Sequence, residues 1–301
     1  MRSVRNLLCA LSAAGISVAF VAASPGTVAA SGSETYVCSG TPSAPGILAG
    51  TYDSVRVVGG CEVNAGPARV EDNLTVAPGG VLVAAFALND TTHTGHSRLS
   101  VGGDLRVQSG GTLLLGCDPQ TFACLDDNPA SPTLSSRSDV AGSLIANQPL
   151  GVVVHNTIIG GNVDQDGGGG GFTCTPSGIF MVFGSPVYSA YEDSWIHGNV
   201  SVSGLTSCWL GLAGDHVRGN VHMISNQLAD PDAVEILYNH ISGDLVCRAN
   251  SAVWDSAEAV FGQVPLYPRT PQPNTVHGDR VGQCVLASPA TQGGPLGPGR
   301  F

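Results

Sequence analysis

The feature that most constrains this chain is a seven-residue pattern that keeps returning along its length. It reads β-branched residue, any residue, Gly, Asn or Asp, Val or Leu, any residue, apolar residue. Clear copies begin at Val101, Ile159, Ile196, Val217 and Ile241, and looser ones at Val70 and Val140. Taking the fourth position of each copy as its origin gives Asn73, Asp104, Ser143, Asn162, Asn199, Asn220 and Asp244. The spacings are 31, 39, 19, 37, 21 and 24 residues, so three intervals lie near twenty and two near twice that. A recurring unit of about twenty residues is the signature of a solenoid. The longer intervals then hold a degenerate or looped-out coil.

The residue types choose the kind of solenoid. Positions −3, +1 and +3 from each origin are mostly apolar and β-branched, as the inward side of a strand requires. Helical periodicity is nearly absent, and Val-rich runs alternate with Gly, Pro, Ser and Asn punctuation. The reading is an all-β, right-handed parallel β-helix with coils of about twenty residues. The −1 Gly and the Asn or Asp origin are placed at the bend, where Gly accepts positive φ and Asn and Asp tolerate it. Asn side chains stacked coil above coil are expected to hydrogen-bond along the stack.

Two stretches break the period: residues 117–138, and residues 166–178 with five consecutive glycines. Both read as loop excursions. The chain is therefore divided into a signal peptide (1–30), an N-terminal cap (31–60), the β-helix (61–247), a C-terminal cap segment (248–288) and a disordered tail (289–301). Terminal caps differ in sequence from the middle of a solenoid, as these ends do.

The Gly-Asn-Val rungs, with Gly243–Cys247, Pro273–Gly278 and Gly282–Cys284, resemble uncharacterised secreted parallel β-helix proteins of high-GC Gram-positive bacteria. The resemblance implies fold and export and carries no functional residue.

Export is also read from the first thirty residues. Arg2 and Arg5 precede an uncharged, apolar or small run from Leu7 to Ala23, and Val28-Ala29-Ala30 supplies a cleavage site. Loss of that segment takes the net charge from −11 to −13, and the chain has no lysine. Nucleic acid and anionic membrane, which are bound through clustered Lys and Arg, are excluded as partners on this ground. Eight of nine cysteines follow the signal, an even number suited to disulfides in an oxidising compartment. Residues close in sequence are close in space in a solenoid, so neighbours are expected to pair: Cys38–Cys61, Cys117–Cys124, Cys174–Cys208 and Cys247–Cys284.

Signatures of catalysis are missing: the chain has no GxSxG, HExxH, P-loop or EF-hand pattern. His93 and His96 form an HxxH in a polar loop without a third ligand, and Asp126 with Asp127 reads as an exposed acidic loop rather than a calcium site. No metal or cofactor is assigned. Sequons at Asn73, Asn89 and Asn199 fit an exported chain, but Asn73 and Asn199 are origins and are discounted as glycosylation sites.

Side chains at −4, −2 and +2 should face outward. At −4 the last three coils carry Trp195, His216 and His240; at −2, His197, Arg218 and Ser242; at +2, Ser201, His222 and Val246. The candidate ligand-binding face is Trp195, His197, His216, Arg218, His222 and His240, expected to share one patch. The leading functional expectation is a non-catalytic extracellular or cell-surface protein that binds a glycan, or another surface protein, along this face. The alternative is a polysaccharide lyase or glycoside hydrolase, an analogy from fold alone. It needs paired carboxylates, and rung positions offer few, chiefly Asp164.

Overall fold

The structure is a computed structural model and describes residues 34–41, 43–231, 233–256 and 274–285. Its described residues form a parallel β-helix of three long sheets. Ten strands make the first sheet, from Thr35–Cys38 to Arg280–Gly282. Nine make the second, from Gly46–Ile47 to Val253–Ser256, and nine the third, from Gly50–Tyr52 to Thr275–Val276. The chain visits first, second and third sheet in that order on every coil. Crossovers joining parallel strands wind right-handed.

Each repeated heptad spans the corner where the third sheet hands over to the first. The −3 residues Val70, Val101, Val140, Ile159, Ile196, Val217 and Ile241 end third-sheet strands and are buried. The +1 and +3 residues begin the next first-sheet strand and are buried too, down to Gln165 at 2% exposed. Gln165 is held inside by the Tyr191 hydroxyl, which donates to its Oε1 at 2.7 Å, and by its own amide donating to Ser189 Oγ at 3.1 Å. Each buried Val, Leu or Ile contributes roughly 1.5–3 kcal/mol of transfer free energy.

The origins form a ladder, and its geometry corrects the reason for the glycines. Asn73 Oδ1 accepts the backbone N–H of Asp104 at 2.8 Å. Asp104, Ser143, Asn162, Asn199 and Asn220 repeat this onto the next origin at 2.8–3.0 Å, and Asp244 extends it to Asp279. Val276–Asp279 thus continues the ladder, although Arg280 and Gly282 stand where the earlier copies place Val or Leu and an apolar residue. None of the −1 glycines has positive φ, and neither does any origin. A Cβ on Gly161, Gly198, Gly219 or Gly243 would instead run into the ladder oxygen of the coil before it. Glycine is required for close approach, not for a left-handed turn.

Two more ladders occupy the other corners. At the second-to-third corner the backbone N–H groups of Ser194, Asp215 and Asn239 donate to the side-chain oxygens of Asp215, Asn239 and Asn274 at 2.7–2.9 Å. At the first-to-second corner Leu205, Asn226 and Asn250 donate to Asn226, Asn250 and Gln283 at 2.9–3.0 Å. Positive φ does occur at these two corners, for example at Asp193, Tyr238, Ser225 and Ala249.

Three expectations about boundaries change. The long intervals hide no degenerate coil, because Leu74 pairs with Leu105, Leu105 with Leu144 and Val163 with Val200 directly. The extra residues leave the solenoid as excursions at 85–98 and 116–137, both at the second-to-third corner, and at 167–187. Strands from Thr35 to Tyr52 and from Val253 to Gly282 already belong to the three sheets, so the β-helix takes in residues assigned to both caps. The signal segment 1–30 and the tail 289–301 lie outside the described residues.

The excursions fold over the outer face of the second sheet. That sheet reads as nearly unbroken apolar strands, such as Thr112–Leu115 and Gly151–His155, because both of its faces are buried. Val83, Leu114, Val153 and Ala190 point outward into a second apolar cluster with Phe86, Phe122, Phe180, Tyr188 and Trp209.

All four disulfides pair as expected. Cys117–Cys124 closes a loop inside one excursion, and Cys174–Cys208 ties another to the coil beneath it. Cys38–Cys61 joins two buried strand residues near one end of the described solenoid, and Cys247–Cys284 joins a buried strand residue to a buried 3-10 turn near the other.

Candidate functional site

The ring column at −4 is built by its neighbours on both sides. Immediately before it, Ser194, Asp215 and Asn239 are fully buried in the second ladder; immediately after it, Ile196, Val217 and Ile241 fill the core. With both flanking side chains locked inward, alternation forces Trp195, His216 and His240 outward on adjacent third-sheet strands. The indole of Trp195 stacks on His216 with centroids 4.1 Å apart and planes 9° apart. His216 stacks on His240 at 4.8 Å and 9°. The spacing is that of adjacent strands, about 4.8 Å. Trp195 is 50% exposed, so the stack is an open surface and not a lid over the core. The excursion at 167–187 leaves from a different corner and does not cover it.

Partial burial lowers the His216 pKa below the usual histidine value, and the neighbouring His240 lowers it further. His216 is therefore biased toward the neutral form near pH 7. A coplanar three-ring stack offers an apolar platform with polar edges, suited to a flat ligand with an apolar face.

Of the other expected members, His197 and Arg218 flank the stack and His222 stands on a different sheet. His197 and Arg218 are exposed at the corner that follows the ring column. His222 belongs to the first sheet, where it pairs with Ser201 and Val246 in the outward row. The positions from −4 to +2 cross a corner between two sheets, so outward side chains at either end of the heptad stand on different faces. Asp164 is also on the first sheet, and burial raises its pKa.

No family model, curated protein or solved structure matches this chain. The remaining clusters must be read from their own chemistry. Among the described residues, no helix is long and apolar enough to cross a membrane.

Sequence reasoning missed a buried pair on the outer face of the second sheet. His155 and Glu192 are adjacent-strand partners, with Nδ1 and Oε2 3.7 Å apart and side chains 2% and 1% exposed. The Cys117–Cys124 excursion covers them: Phe122 stacks on the imidazole at 4.8 Å, and Thr121 Oγ1 lies 3.4 Å from Nδ1. Asp193 follows Glu192 in a left-handed conformation, at φ 52°. A separation of 37 positions between His155 and Glu192 left no motif to find them by.

Asp126 and Asp127 are occupied as structural acceptors. Asp126 takes the N–H groups of Ala87 and Leu88 at 2.9 and 2.7 Å, joining two excursions. Asp127 accepts from Thr133, Leu134 and Asn128 at 2.6–2.7 Å. Burial acts to raise the Asp127 pKa, but these backbone bonds outweigh it and hold the carboxyl below its usual value. His93 and His96 stand exposed in the 85–98 excursion. Asn73 and Asn199 hold ladder bonds, while Asn89 Oδ1 accepts from Thr91 and Thr92 in the exposed loop.

Proposed function

We propose that this chain is a non-catalytic extracellular or cell-surface protein that binds a glycan along the outer face of its third sheet. The observation that carries the reading is the exposed, coplanar stack of Trp195, His216 and His240. Exposed rings held rigid by the fold lose little freedom on binding and present an apolar surface against which the face of a sugar ring packs. His197 and Arg218 at the adjoining corner supply hydrogen-bond donors to the rim of such a site. Four disulfides suit an oxidising compartment and support export of the mature chain. A lyase or hydrolase reading would place paired carboxylates beside the stack. In the outward row of the third sheet from Thr51 to Thr275, Asp139 is the single carboxylate.

The test is Trp195→Ala in the purified chain. Glycan binding should weaken by roughly 1–3 kcal/mol, the scale of an aromatic anchor, while the fold survives. A loss of about 3–5 kcal/mol of stability, the cost of truncating a core aromatic, would instead assign the ring to packing. Unchanged binding with an intact fold would remove the stack from function. Reducing-sugar release, assayed beside binding, separates the enzyme alternative.

A further inference from the structure

The third-sheet face carries a second feature, two coils away from the stack. A groove of about 570 Å³ opens between the excursions at 85–98 and 116–137, and its lining includes Pro67, Ala87, His96, Arg98, Ser135 and Arg137. Arg98 and Arg137 each lie two residues before Ser100 and Asp139, which pair across adjacent strands, so the two arginines leave neighbouring rungs. Leu99 and Ser138 are buried, so alternation turns both guanidinium groups outward, and both residues are exposed.

Of the described arginines two are held in ion pairs, and Arg98 and Arg137, like Arg56, Arg218 and Arg248, are not. Arg69 pairs with Glu71 and Arg106 with Asp104, at 2.7 and 2.6 Å. Among the described residues Arg98 and Arg137 make no ion pair. The nearest acid in sequence, Asp139, sits two residues beyond Arg137 and does not reach it within ion-pair distance. In a chain of net charge −11 without lysine, two unpaired guanidinium groups around one groove are a local reversal of sign.

The floor of the groove is fixed before any ligand arrives. Ser136 Oγ donates to the Ser97 carbonyl at 2.7 Å, joining the two excursions. Ser97 Oγ donates to the Leu88 carbonyl at 2.7 Å and accepts the Gly66 N–H at 3.0 Å. The Asp126 carboxylate and the Cys117–Cys124 disulfide brace the same loops. Arginine presents planar paired donors that match a carboxylate or sulfate, and a preorganised frame lowers the cost of binding one.

We infer that the groove is an oxyanion site and that the glycan on the third sheet is acidic, its carboxylate or sulfate group seated between Arg98 and Arg137. This rests on the glycan reading of the Trp195 stack. The outward row runs Ser100, Asp139, Ile158, Trp195, His216, His240, so groove and stack share one face. The Asp139 and Trp195 rungs are two strand spacings apart, about 10 Å. A single extended acidic chain can therefore reach both.

The experiment is calorimetric titration of the full chain with three oligosaccharide probes of equal length: uronate-bearing, sulfate-bearing and neutral. Each is titrated into the unaltered protein, Arg98→Ala/Arg137→Ala, Arg98→Lys/Arg137→Lys and Trp195→Ala, with thermal unfolding as the control on folding. The double alanine variant should lose roughly tenfold or more in affinity for an acidic probe, the scale of one lost charge-assisted contact, and nothing for the neutral one. The lysine variant should recover part of that loss. Which acidic probe responds decides between carboxylate and sulfate. Trp195→Ala should weaken acidic and neutral probes alike. Acidic binding that ignores the arginines overturns the groove while leaving the stack standing. Acidic binding that needs the arginines but ignores Trp195 overturns the glycan reading of the stack and keeps the oxyanion site. An unaltered protein that binds no probe overturns both.

Discussion

Replacing Gly219 by alanine tests whether the ladder explains the repeat. A Cβ there would meet Asn199 Oδ1, and would lie 2.7 Å from the Gly198 carbonyl oxygen and 2.8 Å from its carbon. Asn199 Oδ1 is also the acceptor for the Asn220 N–H, at 2.8 Å. Overpacking of this kind costs about 1–3 kcal/mol. Displacing the oxygen loses a hydrogen bond of about 1 kcal/mol. Stiffening the unfolded chain returns about 0.4–1 kcal/mol. The net expectation is a loss of about 1–3 kcal/mol. Asn199→Ala should cost only about 1 kcal/mol, because Asn199 is exposed and water can reach the freed N–H. Once that side chain is gone, the added methyl meets only the Gly198 backbone. Gly219→Ala should then cost about 1 kcal/mol less than in the unaltered chain. Guanidinium unfolding of the four proteins with disulfides intact measures the coupling. Costs that add to within about 0.3–0.5 kcal/mol would refute the account, since the side-chain oxygen would not be what the glycine accommodates.

Asn239→Ala removes the 2.9 Å acceptor of the buried Asp215 N–H and the amide that donates to the Leu212 carbonyl, and chemical unfolding should show a loss of about 1–3 kcal/mol or more. His155→Ala takes one partner from Glu192 and empties the buried site beneath Phe122; thermal and chemical unfolding should show a loss of about 2–5 kcal/mol, the cost of truncating a buried side chain, and a neutral result would mean that the imidazole contributes nothing net. The folded Asp127 carboxyl titrates below its unfolded value, so its contribution is complete above the ordinary aspartate range near pH 4 and is lost as pH falls through the folded value. Asp127→Asn should therefore flatten the acid limb of a stability profile below about pH 4, and an unchanged limb would show that the three backbone bonds do not act through charge.

The ring stack was legible in the sequence because it is a register property. Once the origins are aligned, Trp195, His216 and His240 fall at one position of consecutive coils, and parallel pairing without slippage brings them into contact. His222 was misplaced because the heptad was treated as one strand, whereas its origin is a corner. The second ladder could have been seen at −5, where Thr157, Ser194, Asp215, Asn239 and Asn274 all carry small hydrogen-bonding side chains before a third-sheet strand. It was overlooked because aspartate and asparagine before a strand read equally well as exposed turn residues.

By itself the sequence determined the fold class, the inward positions of every aligned coil, and the pairing of all four disulfides. These are local or nearest-neighbour properties: a side-chain period of two, a repeat of about twenty, and cysteines joined to their neighbours along the chain. The excursions near 117–138 and 166–178 were legible too, but only the tertiary structure decided that each long interval holds a single coil, that residues 85–98 also leave the solenoid, and that the excursions bury the outer face of the second sheet. The same holds for the His155–Glu192 pair and for the meeting of Arg98 with Arg137, separated by 37 and 39 residues. The physical reason is that a β-helix fixes which strands touch but not how long each corner is. Contacts made across adjacent coils recur at no constant separation, so composition and period leave them unmarked until the corners are folded.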